Sequence, residues 1–251
     1  MDPATPDLRI GYLEHRSMRA DAARLIELVG AVQPADVGRL RALAAWYGRY
    51  EGAIHDHHHA EEAVIYPALL ERDPSFAEAD GQLEGQHQVL ADRLQVARES
   101  LTGLCGAAGG SRWEPEREEA VKAATALKAI VDTHTRNEEA VAFPRYSAHF
   151  SAAEYAGLNK AAFKLVGMRS FVFAGPWVLD HAAPGERAEL LGEQPLLLRV
   201  IYRLALRPPL PAPGPPPRLS LPASPALERS MPCPHCRGAP RAKPTQTAAT
   251  W

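Results

Sequence analysis

The sequence predicts an all-α protein, a helical bundle followed by a short helical extension and a proline-rich tail. Three observations carry that prediction. Four long segments place apolar residues at intervals of three and four, the spacing that lines one face of an α-helix. Glycine, proline and capping residues punctuate the gaps between them. One phrase also occurs twice: His57-His58-His59-Ala60-Glu61-Glu62 runs on to Pro67, and His134-Thr135-Arg136-Asn137-Glu138-Glu139 runs on to Pro144. Both copies read H-x-x-x-E-E-x-x-x-x-P. Residues four apart share a helix face, so each copy aims an imidazole and a carboxylate at one spot.

The first segment, about residues 8–31, sets His15, Met18, Ala22, Leu25 and Val29 on one face. The second, about 35–72, opens at Pro34-Ala35-Asp36 and carries the stripe Leu43, Trp46, Tyr50, Ile54, His57, Glu61 and Val64. Pro67 has no N–H and crowds the preceding turn, so a kink is expected there, before a stop at Arg72-Asp73-Pro74. The third segment, about 75–104, begins with Ser75-Phe76-Ala77-Glu78, which reads as a capping box. Its stripe is Phe76, Leu83, His87, Leu90, Leu94 and Leu101, and a Gly- and Ala-rich loop follows from Cys105 to Arg112. The fourth, about 114–143, has Pro115 in its first turn and the stripe Leu127, Ile130, Val131, His134, Glu138 and Val141.

Beyond these, Ser151-Ala152-Ala153-Glu154 reads as a second capping box, opening a shorter helix over about 151–166. Phe171 to Leu179 is apolar but interrupted by Gly175-Pro176, and about 185–206 reads as one or two helical pieces around Pro195. Leu196 to Arg207 mixes apolar residues with three arginines; it is expected to pack with Phe171–Leu179 against the end of the bundle rather than lie on a membrane. Thirteen of the 23 prolines fall between Pro208 and Pro244, so that stretch is expected to be extended and disordered. The resulting division is a bundle over 1–168, an extension over 169–207 and a tail over 208–251.

With 28 basic and 30 acidic residues, bulk charge gives no argument for nucleic-acid binding. The N-terminal residues lack the pattern of a secretory signal, and no uninterrupted apolar run reaches the length of a transmembrane segment. Cys105, Cys233 and Cys236 do not form a disulfide framework, which points to a reducing cytoplasm. Cys233-Pro234-His235-Cys236 has two thiols and no second pair, and is read as carrying no zinc site.

What needs explaining is the polar content of the apolar stripes. His15, His57, His87 and His134 each sit on one, joined by Glu61 and Glu138. Burying such groups unpaired costs roughly several kcal/mol per charge, against a whole-domain stability of about 5–15 kcal/mol. A metal site offsets that cost, since structural metals contribute on the order of 10 kcal/mol. Imidazole and carboxylate donors without thiolate suit Fe, Mn or Zn. Two similar halves, His15 with His57 and Glu61, and His87 with His134 and Glu138, favour two ions with both glutamates bridging. His58 with Glu62 is also an i, i+4 pair; His57 with Glu61 is preferred because its distance to Pro67 equals that from His134 to Pro144. His55, His58 and His59 are then expected behind the ligands, at the rim or in solvent, Asp56, Glu62 and Glu139 exposed, and Trp46 and Tyr50 in the core.

These residues resemble the hemerythrin-like, HHE cation-binding family over roughly residues 8–146. The likeness rests on a lone His in the first helix within His15-Arg16-Ser17-Met18-Arg19-Ala20-Asp21, the phrase ending in Pro on the second, a lone His on the third, and the phrase again on the fourth. It implies an antiparallel four-helix bundle around a non-haem diiron centre, two Fe ions joined by an oxo or hydroxo bridge, that handles dioxygen, nitric oxide or peroxide. Oxygen-carrying hemerythrins place a second His four residues after the first on the third helix, where this chain has Ala91, and an Asp on the fourth, where this chain repeats His-x-x-x-Glu. A more open, more symmetric site is therefore expected. That argues for catalase-like or oxidase turnover over reversible oxygen carriage, the alternative being a non-enzymatic oxygen, iron or redox sensor.

Overall fold

A computed structural model describes residues 5–193, and every regular element among them is helical. The first long helix, α1 (Arg9–Ala31), buries Leu13, Met18, Ala22, Leu25 and Val29. α2 (Val37–Ala60) follows, burying Leu43, Trp46, Tyr50 and Ile54. The expected kink before Pro67 takes the form of a π-helical turn over Glu61–Ile65, in which the Tyr66 N–H reaches the Glu61 carbonyl; α3 (Tyr66–Arg72) completes the run. Because Pro67 cannot donate to the turn before it, the backbone widens there by one residue.

The capping box expected at Ser75 does not form. Ser75 lies inside a single 3-10 turn, Pro74–Phe76, and its backbone N–H bonds the Asp73 side chain at 3.1 Å. The aspartate one residue before the proline thus outcompetes the serine as the cap, and α4 (Ala77–Gly106) starts after the turn. α5 (Trp113–Val141) is interrupted at Ala142, one residue before α6 (Phe143–His149), with Pro144 at its second position. The box at Ser151 does form: Ser151 Oγ accepts from the Glu154 N–H at 3.3 Å, and Glu154 Oε2 accepts from the Ser151 N–H at 2.8 Å.

From that cap a helix runs to Val166, as expected, and after a break at Gly167 a second helical stretch continues through Gly175-Pro176 to His181; the two together are α7 (Ala152–His181). It bends at Gly167, whose φ of 79° suits a residue without a Cβ. By length and composition alone α7 reaches the apolarity of a membrane span, although it is broken at Gly167. Its second half nevertheless docks onto the other helices: Trp177 is buried, and its indole N–H donates to the buried Asp21 carboxylate at 2.7 Å. α8 (Pro184–Glu193) ends the described chain. Most of Leu196–Arg207's expected partner stretch, Phe171–Leu179, is helical; Leu196–Arg207 itself, the proline-rich tail, Cys233 and Cys236 lie outside the described residues.

α1 packs on α5, α5 on α4 and α4 on α2, while α7 lies against both α1 and α2. Tyr50 bonds the Met18 carbonyl while His57 meets His15; Tyr47 bonds the Leu94 carbonyl while His58 meets His87; Arg19 bonds Thr135 while Arg117 bonds the Gly30 carbonyl. Buried apolar residues form two clusters, one around Leu25, Tyr47, Tyr50 and Leu94, the other around Tyr66, Phe76, Phe143 and Tyr146. On α2, α4 and α5 the histidines and glutamates singled out above fall between them.

Candidate metal centre

All six residues expected at the site converge. α1 supplies His15, α2 His57, the start of the π turn Glu61, α4 His87, and α5 His134 and Glu138. His15 Nε2 lies 3.1 Å from Glu138 Oε2, and His57 Nε2 lies 2.9 Å from Glu61 Oε1. The other Glu61 oxygen is 3.6 Å from His87 Nε2, and His134 Nε2 is 3.8 Å from Glu138 Oε2.

A seventh residue joins them. His58, expected outside the ligand set, is buried, its ring stacked on that of His87 with centroids 3.9 Å apart and edge-on to His134 at 4.9 Å. Two groups of donor atoms result, each within 4.8 Å of one another: His58, Glu61, His87 and His134 in one, His15, His57, Glu61 and Glu138 in the other. The reason lies in helix geometry. Neighbouring residues on a helix diverge by about 100°, so from one point on α2 His57 faces α1 while His58 faces α4. Glu61 is i+4 from the first and i+3 from the second, and sits between them. The halves are therefore unequal, three imidazoles against two, and the imidazole that position 91 lacks on α4 comes instead from α2. Only Glu61 is common to both groups; Glu138 falls with His15 and His57. His55 and His59 are exposed, as expected.

The second glutamate of each phrase has a task that a purely solvent-exposed residue would not. Glu139, half-buried rather than exposed, accepts from His15 Nδ1 at 3.1 Å and from Arg19 at 2.7 Å. Glu62, though exposed, accepts from His87 Nδ1 at 2.7 Å. Glu14 lies 3.2 Å from His57 Nδ1. Tying down Nδ1–H fixes the tautomer and turns the Nε2 lone pair inward. Phe143 stacks on the His15 ring, an approach open because residue 11 is glycine: a Cβ there would stand 3.0 Å from the Phe143 ring.

Electrostatics divides the cluster in the same way. Burial lowers His58 well below the usual imidazole range, lowers His87, and brings His134 down to about 3. These three are neutral, with lone pairs available. Burial opposes charge on His15 and His57 too, but there Glu138 and Glu61 respectively outweigh it: His15 rises to about 9, and His57 rises well above its ordinary value. Burial and then the charge of Glu138 push Glu61 up to about 8. Burial also raises Glu138, but the charge of His15 overcomes it and keeps Glu138 ionised.

Such a cluster fits a metal for a reason visible in its atoms. Nε2 of all five histidines, Oε2 of Glu61 and both oxygens of Glu138 are buried without a hydrogen-bond partner. Each unsatisfied buried group costs about 1–3 kcal/mol, and here they share one space. Neutral imidazole with carboxylate suits first-row transition metals. Beside the cluster lies a cavity of about 310 Å³ bounded by α1, α2 and α7, with His57, Glu61 and Glu138 at its inner end. Two buried tyrosine hydroxyls without hydrogen-bond partners, Tyr66 and Tyr146, lie near the carboxylates. Burial raises both, and the charges of Glu61 and Glu138 raise them further.

Among the described residues, all of whose regular elements are helical, five histidines and two glutamates turn inward onto one another in groups that could hold a cation. Residues 10–146 match the hemerythrin HHE cation binding domain, and the chain belongs to that family. No curated protein and no solved structure matches it.

Proposed function

We propose that the protein is a hemerythrin-like diiron protein, an antiparallel four-helix bundle of the cytoplasm that binds hydrogen peroxide, dioxygen or nitric oxide and reacts with it. In this reading His58, His87 and His134 hold one ion, His15, His57 and Glu138 the other, and Glu61 serves both. The observation that carries it is the set of buried, partnerless Nε2 and carboxylate oxygen atoms from four helices, gathered into two overlapping groups. Two iron ions bound there supply Lewis acidity and one-electron redox capacity.

The chain's own part is to orient and to discriminate. Glu139, Glu14 and Glu62 hold the Nδ1 atoms of His15, His57 and His87, so three of the five imidazoles are aimed before any ion arrives. Each half counts four donor residues with Glu61 shared, but the cavity is lined by His57, Glu61 and Glu138 and by none of the three imidazoles of the other half. A small oxidant entering by the cavity therefore meets the two-imidazole half. Tyr146 also lines the cavity, and its buried hydroxyl, high in pKa, keeps its proton for donation to a bound anion. Unlike halves, one richer in imidazole and one facing a cavity, support turnover at one end of the site more than reversible storage.

Iron-loaded full-length protein is expected to consume hydrogen peroxide rapidly, and His57→Ala is expected to lose that activity while keeping its helical content. Stable, reversible oxygenation without turnover contradicts the proposal.

A further inference from the structure

The cavity is larger than any reactant proposed above requires. A volume of about 310 Å³ is roughly ten times the ~30 Å³ share of a water molecule, and it matches the lower range of pockets that hold organic molecules, about 300–1,000 Å³. Its walls are chiefly apolar, and Phe143, Tyr146, Tyr155, Phe163 and Phe171 supply ring faces among the smaller aliphatic side chains. Much of one wall belongs to α7, where Tyr155, Asn159, Phe163 and Phe171 lie beyond residue 146 and so outside the stretch matched to the family. The wall is held in place by the Trp177–Asp21 hydrogen bond and by the Ser170 hydroxyl donating to Asp56.

The lining is also one-sided in charge. Asp7, Glu14, Asp56, Glu61 and Glu138 all border the cavity, and no Lys or Arg does. Asp7 is neutralised by Arg9 at 2.6 Å, and Glu61 and Glu138 belong to the metal cluster. Glu14 is taken up by His57 Nδ1 at 3.2 Å, which leaves Asp56, held by the Ser170 hydroxyl, as the negative charge beside an apolar space. An organic anion there meets like charge in a low-dielectric setting, while a protonated amine meets opposite charge and ring faces that attract cations.

We propose that this cavity binds an organic cation, a molecule with an aromatic or aliphatic body and a protonated amine held beside Asp56. This deepens the metal reading, on which it rests for the chemistry at the inner end of the cavity, but the walls and the carboxylate that select the ligand are not metal donors.

The test is calorimetric titration of the full-length, iron-loaded protein with three probes of one size, phenethylamine, 2-phenylethanol and phenylacetate, with iron content measured on the same preparation. Phenethylamine is expected to bind at least about tenfold more tightly than phenylacetate, with Asp56→Asn removing about tenfold of its affinity at unchanged iron content. Ala174→Phe, which fills the cavity from α7, is expected to abolish binding and leave iron content unchanged. Phenylacetate binding as tightly as the amine, or no probe binding while iron is retained, overturns the cavity proposal and leaves the metal reading standing. Amine binding by protein that takes up no iron supports the cavity proposal and refutes the metal reading.

Discussion

His58 shows how one side chain changes what the centre is. Without it the two halves are alike, two imidazoles each; with it one half has three imidazoles and the other keeps the cavity. His58→Ala is therefore expected to weaken retention of one ion selectively, so that iron content falls from about two toward about one per chain, while His59→Ala, at an exposed position, leaves it unchanged. Equal iron in both variants would show that His58 only fills space. Proton linkage gives a second expectation. In the metal-free protein His15 is raised to about 9 and Glu61 to about 8, so below those values both carry protons that an ion must displace. Metal affinity should rise with pH from about 6 through about 9, as read by chelator competition with Zn²⁺; a flat profile over that range would contradict these assignments. The six residues first singled out were legible because each is a polar residue on an apolar stripe. His58 was not, because a single stripe per helix permits one facing residue, whereas α2 has α1 and α7 on one side and α4 on the other. The tandem His57-His58 followed by Glu61 at i+4 and i+3 was the signal available.

At the scale of elements, proline acts at both copies of the repeated phrase, and differently in each: a π turn before Pro67, a break at Ala142 before Pro144. The positions of the helices were readable from periodicity and punctuation, including the break at Gly167, but the helical run beyond it through Pro176 to His181 was not. Glycine and proline ordinarily end helices, and here burial of Trp177 and Val178 against the other helices sustains the run. Its start rests on local chemistry that can be tested. Ser151→Ala should cost about 1 kcal/mol of stability in denaturant unfolding. Glu154 is lowered to about 2 by its hydrogen bond with Arg72 and then by those with Ser151. Its folded value lies below its unfolded value of about 4.3, so its stabilising contribution is complete above that value and is lost as pH falls toward 2. Thermal melts of Glu154→Gln should accordingly show a shallower loss of stability between about pH 5 and pH 2 than the parent protein. Parallel curves would mean that the box and the Arg72 pair do not anchor α7.

Across the whole molecule, the two apolar clusters leave between them a layer of histidine and glutamate with little internal hydrogen bonding. A fold that carries such a layer needs an occupant for it, and the chain adds to the family domain a long helix that roofs a cavity leading there. Anything that binds the folded state alone stabilises it by mass action, so metal loading should raise the melting temperature and a chelator should reverse the gain. The central claim is the number of ions. The most direct measurement is iron per chain in full-length protein reconstituted anaerobically with ferrous iron and freed of excess metal. Two per chain, falling sharply in a His15→Ala/His134→Ala double variant, is the result the account predicts; iron that is absent, or equal in the parent and the double variant, would contradict it.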